Sequence, residues 1–325
     1  MLNSRNFRGK PNIAQGLDSC AAPSGPWVSL LWLSLSLVAA SGGCASAPKG
    51  PYHLELKGAQ DSSYEVLTDY YTHNLVRSFA DSQLVREKTE MGRFQVRTEV
   101  LPALLLPSDS GEASTPPSGN VDMLPALETL IHYRLRTLTK EGPLRLNDLG
   151  FPDVGEELDY IFTPQAEVLR VGDIPPSSHF YVPPLPLPDR PVGPGDTWEL
   201  NHHWFSESGL PLKLQVIAIF NTLVSCPPWG WCADLDISGD LDIPGLDRQS
   251  LRFESLIQGR MLFALEKGLL LWSEVHSHEE TLTQEEHQQS LSCLVGQVQK
   301  NSCPPPQCRP KELGGLPACL VGEKK

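Results

Sequence analysis

The chain has 325 residues, of which 40% are hydrophobic, together with 30 prolines and 26 glycines. That is enough apolar residue for one sizeable core, interrupted too often by turn formers to favour long helices. A formal net charge of −13 repels phosphate backbones and anionic surfaces, and no basic run with interleaved aromatics reverses this, so no nucleic-acid partner is expected.

Arg5, Arg8 and Lys10 precede Trp27 to Ala40, fourteen residues without a charge. A basic segment followed by an apolar run is the pattern of an export leader. The run falls short of the roughly 20 residues of a membrane-spanning helix, and it contains Ser29, Ser34 and Ser36. At its end Gly42 and Gly43 stand before Cys44. This box resembles a bacterial lipoprotein signal, whose cysteine receives diacylglycerol before the leader is removed. The resemblance implies a signal peptide over 1–43 and an acylated Cys44 that anchors the chain in the cell envelope, at the outer membrane facing the periplasm. Ser41 stands where that pattern has an aliphatic residue, and Ala45-Ser46-Ala47 offers an ordinary secretory cleavage site; an uncleaved anchor is the third reading. Cysteine number favours the lipid. Of eight cysteines, Cys20 leaves with the leader and Cys44 is acylated, so an even six remain for disulfides in an oxidising compartment.

Residues 44–51 read as a tether, and a β-rich domain is expected over 52–290. Tyr52, Leu54 and Leu56 alternate with His53, Glu55 and Lys57, which predicts a half-buried strand. Phe94, Val96, Thr98 and Val100 define the buried face of the next clear alternation, and Leu212, Leu214, Val216, Ala218 and Phe220 that of a later one. In the latter, Ile217 and Ile219 make the opposite face apolar as well, which predicts cover on both sides. Further strands are predicted over 64–79, 124–139, 158–171 with a turn at 164–166, 196–205, 231–241, 250–265 and 269–283. Short turns containing Gly, Pro, Asn or Asp join most of them. The fold class is therefore mainly β: a curved antiparallel sheet or half-barrel meander with few helices. Residues 107–120 are a solvated low-complexity loop. Residues 175–194 hold eight prolines and run as an extended arm that divides the strands into two halves. Residues 284–299 read as a short helix, and 291–325 as an irregular cysteine-rich tail.

"RPVGPGDTWEL", residues 190–200, is the most distinctive internal string. It is similar to a P-V-x-x-G-D-T-W string that recurs in β-rich bacterial envelope lipoproteins. That resemblance, over about 52–285, implies a curved antiparallel sheet like that of LolA-type lipid carriers and carries over no catalytic residue.

Catalytic signatures are wanting: there is no G-x-S-x-G, phosphate loop, G-x-G-x-x-G or H-E-x-x-H. His276 and His278 share a strand face with Glu274 and Glu280, a set that could ligate a metal, but a wet outer face is the preferred reading. His202 and His203 point to opposite faces. No metal and no cofactor are expected. Cys226 and Cys232 flank Pro227, Pro228, Trp229, Gly230 and Trp231, a spacing that suits a disulfide across the base of a hairpin loop. Its two tryptophans either cap the core, the preferred reading, or form an exposed anchor for a partner or a bilayer interface. Cys293, Cys303, Cys308 and Cys319 predict two disulfides, in any of three connectivities.

The leading expectation is a non-enzymatic lipoprotein that binds an apolar ligand, lipid included, or another envelope component on its curved sheet. Phe220, Met261, Phe263, Leu271, Trp229 and Trp231 are the candidate contacts. The alternative is a structural or assembly lipoprotein that docks a protein partner through the tryptophan loop and the proline arm; a secreted hydrolase comes third.

Overall fold

The computed structural model describes residues 48–58, 62–78, 83–102, 130–206, 209–245, 251–300, 303–309 and 313–321. Cys44, the leader before it and the loop over 107–120 lie outside the described residues.

Eleven strands form one antiparallel sheet. In chain order they are β1 (Ser63–Ser78), β2 (Leu84–Leu101), β3 (Ile131–Glu141), β4 (Glu157–Phe162), β5 (Val168–Val171), β6 (Thr197–Phe205), β7 (Pro211–Ser225), β8 (Trp231–Asp242), β9 (Arg252–Ala264), β10 (Leu269–Leu282) and β11 (Glu286–Val298). Among the described residues the only helical elements are 3-10 turns at Leu146–Leu149 and His179–Tyr181. The spatial order is β5-β4-β3-β2-β1-β11-β10-β9-β8-β7-β6. Two meanders therefore meet back to back along β1 and β11, and the edges are β5 and β6, the two strands joined by the proline arm.

Laid flat, eleven strands about 4.8 Å apart would span about 50 Å. This sheet is rolled, because one core cluster collects Val171 on β5, Tyr133 on β3, Phe220 and Val216 on β7 and Met261 on β9. The same cluster takes in Leu54 and Leu56 from the N-terminal segment and Tyr181, Leu185, Leu187 and Val192 from the arm. β5 and β6 do not pair, and these two segments lie between the ends of the sheet instead.

The segment at 52–57 corrects the sequence expectation. It is not a strand, although Leu54 and Leu56 are buried as the alternation required. Its backbone bonds go to separate places: Tyr52 pairs with Val192 of the arm, Leu56 N–H donates to the Pro164 carbonyl in the β4–β5 turn, and Lys57 N–H donates to the Gly268 carbonyl in the β9–β10 turn. It lines the bottom of the rolled sheet, spanning from one turn to the other. A Cβ on Gly268 would stand 2.4 Å from Lys57 N and 2.5 Å from Glu55 O, and its φ is +58°, so only glycine lets this turn meet the segment.

Three further corrections follow from the topology. Residues 284–299 form no helix; they contain β11, whose inward Leu294 and Gly296 alternate with outward Cys293 and Val295 between two neighbouring strands. The irregular tail consequently starts after β11 rather than at 291. The outer face of β7 is bare, with Ile217 44% and Ile219 37% exposed, so the cover expected on both sides is absent there. The outer face of β10 is covered at Glu274, which is only 3% exposed.

That cover is the C-terminal tail. Disulfides Cys293–Cys308 and Cys303–Cys319, with Cα separations of 5.8 and 5.2 Å, tie it to β11 and to itself. Asp69 on β1 accepts from Cys308 N at 2.8 Å, and Glu274 on β10 accepts from Gly314 N at 2.8 Å. Leu320 is fully buried beneath it with Leu262, Leu271, Trp272 and Val295. The sheet is thus half-buried on both sides along its centre.

Candidate functional site, a cavity on the concave face

Strand register places inward-facing residues abreast in rows across the sheet. One row runs Phe94, Thr68, Gly296, Ser273, Met261, Leu235 and Phe220, from β2 to β7. The next runs Gly92, Tyr70, Leu294, Val275, Gly259, Ile237 and Ala218. At the centre of the first row the residues are Thr, Gly and Ser, too small to fill the hollow of a rolled sheet. A cavity of about 420 Å³ results, within the range of small-molecule sites.

Its walls are Tyr64, Val66, Tyr133, Tyr160 and Phe162 on the β1–β4 side and Met261, Leu270, Leu271 and Val275 on the other. Phe151 enters from the β3–β4 connection, and Phe180, Val182, Pro183, Pro184 and Leu185 of the arm form the roof. Proline supplies no N–H, so the roof offers few unsatisfied donors to an apolar guest. The arm is held at several points. Trp198 on β6 donates its indole N–H to the Pro186 carbonyl, Tyr181 donates to the Ile174 carbonyl at 3.0 Å, and the Tyr52–Val192 bridge fixes the far end.

The lining contains no Asp, Glu, Lys or Arg among the described residues, and its imidazole, His179, is engaged with the Asn147 carbonyl at 2.7 Å. Its ionisable hydroxyls are kept neutral by burial, which pushes Tyr133 up to about 12 and raises Tyr64 and Tyr160 further. Tyr160 spends its proton on the Gly150 carbonyl at 2.7 Å. The site is therefore a mainly apolar cavity with a few neutral hydroxyls and one imidazole.

Of the residues expected to touch a ligand, Met261 and Leu271 line this cavity. Phe220 and Phe263 do not; both are fully buried in the core cluster beside it. Trp229 and Trp231 are half-buried, one against the tail-covered cluster and the other against the concave core, so they cap the core rather than project as an anchor. The disulfide between Cys226 and Cys232, with Cα atoms 6.0 Å apart, closes their loop as its spacing suggests.

His278, 3.5 Å from Glu280, keeps the wet outer face that the sequence reading preferred, whereas His276 departs from both readings. Glu274, His276 and Cys293 bring ligand atoms within 4.8 Å of one another. Cys293 is spent on its disulfide, and Glu274 holds both Gly314 N and the His276 ring, at 2.8 and 2.9 Å. This cluster fastens the tail to the sheet.

Sequence reasoning missed Tyr64, Tyr133, Tyr160, Phe162 and the arm's Phe180. The alternation over 131–135 and 158–162 was a signal for the strand residues, but which row faces the hollow depends on pairing partners far away in the chain. Comparison with known protein families and with curated proteins finds no match for this chain.

Proposed function

We propose that this chain is a non-enzymatic envelope protein, exported and acylated at Cys44, that binds an apolar ligand beneath the proline arm. The observation that carries this reading is the mainly apolar cavity of about 420 Å³, whose floor residues Gly296 and Ser273 are small where larger side chains would have filled it. The three disulfides support an oxidising compartment. The curved antiparallel sheet is the architecture implied by the resemblance to LolA-type carriers. Delipidated protein titrated with alkyl alcohols of increasing length should gain about 0.8 kcal/mol per methylene, about fourfold in affinity, until the cavity is full. Affinity independent of chain length would overturn the reading.

A second reading has its own support. Ile217 and Ile219 are exposed on the outer face of β7, beside the unpaired edge strand β6. Their exposure favours a structural or assembly lipoprotein that docks a protein partner there. Asp substitutions at Ile217 and Ile219 that release a stoichiometric protein from the native complex would support docking.

A further inference from the structure

Leu294 and Val275 mark the last apolar row of the cavity on β11 and β10. The next two rows on the same face change character. Thr72, Ser292 and Ser277 stand abreast on β1, β11 and β10, with the two serine hydroxyls 2.7 Å apart; one step further come Asn74, Ser290 and Glu279. Same-face residues on a strand are about 7 Å apart, so Glu279 stands about 14 Å beyond the cavity lining at Val275.

Two atoms of this strip lack what their burial calls for. Thr72 Oγ1 is buried with no hydrogen-bond partner among the described residues. Burial pushes the Glu279 carboxyl up, and the His278 imidazole, on the opposite face, offsets this only in part. On β2, Lys88 and Glu90 of these two rows neutralise each other at 2.7 Å, and the cations Arg86 and Lys140 of the same face stand three or more strands from β10. Glu279 makes no ion pair with a cation of the concave face among the described residues, in a chain whose net charge of −13 already disfavours anions.

We infer that the ligand is an amphiphile, its alkyl tail in the cavity and its headgroup an ammonium held by Glu279, beyond a neck lined by the hydroxyls of Thr72, Ser277 and Ser292. An ammonium supplies three donors and a positive charge; the strip supplies a carboxylate and hydroxyl acceptors, a charge-assisted match that an anionic headgroup cannot make. This rests on the apolar-ligand reading above and specifies the other end of the same molecule.

The test compares n-dodecylamine, n-dodecanol and dodecanoate, each below its micelle concentration, as competitors of a fluorescent fatty-acyl probe bound to the delipidated full chain. The amine should bind about tenfold or more tighter than the carboxylate, with the alcohol between them. Glu279→Gln should bring the amine to the level of the alcohol and leave the alcohol unchanged. Glu280→Gln, one residue along on the opposite face, controls for bulk charge and should leave the preference intact. Equal binding of all three, or an amine preference that survives Glu279→Gln, overturns the headgroup assignment while the apolar-ligand reading stands. Failure of all three to bind overturns both.

Discussion

Gly296 offers the sharpest perturbation of the cavity. It lies on β11 with ordinary strand geometry, and a Cβ built there meets Ser273 Oγ at 3.5 Å and Thr68 Oγ1 and Val66 Cγ1 at 3.6 Å, which are normal contacts. Nothing in the backbone requires glycine, so Gly296→Leu should be accepted, its side chain standing in the hollow where a ligand tail would lie. Excluding three or four methylenes of that tail, at about 0.8 kcal/mol each, costs about 3 kcal/mol, or about a hundredfold to two-hundredfold in Kd. Stability should rise by about 1 kcal/mol, because a strand glycine is replaced and a void is filled. Displacement of a fatty-acyl probe and urea unfolding, run on the same preparation, read both effects. Binding within about twofold of wild type in a stably folded variant would refute the placement of the ligand. A loss of several kcal/mol would show instead that the floor is already packed.

Other perturbations test the frame that holds the cavity. Asp234 on β8 is 2% exposed and accepts from Arg260 on β9 at 2.8 and 2.7 Å, so Arg260→Met should cost about 3–5 kcal/mol in urea unfolding by leaving that carboxylate buried alone; Asp234→Leu in the same chain should recover most of it. Breaking Cys293–Cys308 by Cys308→Ser should lower stability by about 3 kcal/mol and speed amide exchange over 303–321 ahead of the sheet, whereas uniform exchange across both would contradict the tail's role as an outer cover. On β6, burial and then the neighbouring His203 hold His202 below its ordinary value of 6.5. Between the folded and unfolded values only the unfolded chain holds the proton, so stability falls as pH drops below about 6.5. A His202→Gln variant should therefore lose less stability than wild type between about pH 7.5 and 5, as judged by thermal melting at each pH.

The strands were legible wherever one face is dry and the other wet. Phe94, Val96, Thr98 and Val100 announced β2 in this way, and all four are buried. β11 was not legible because it is covered on both sides at its C-terminal end, by the concave core and by the tail, and its central residues Gln288, Gln289, Ser290 and Ser292 carry no strong period. The segment at 52–57 failed for the opposite reason. Its alternation recorded burial of Leu54 and Leu56 correctly, but burial by turns and arm leaves the same pattern as burial in a sheet. The tail's connectivity depended on where Cys293 sits on β11, which sequence spacing alone does not carry. As for the site, Met261 and Leu271 were within reach because they follow apolar strand ends. The hollow itself is made by what is missing from Gly296 and Ser273, and a small residue in a strand gains that meaning only once its row neighbours are known.

The central claim is that one apolar-tailed molecule occupies the cavity under the arm. Native mass spectrometry of a Cys44→Ser chain, released without detergent from the cells that make it, tests this most directly. The account predicts a species heavier than the bare chain by one non-covalently bound lipid-sized molecule, strongly diminished when Gly296→Leu is added. A bare chain mass throughout, or a stoichiometric protein bound in place of the lipid, would contradict it.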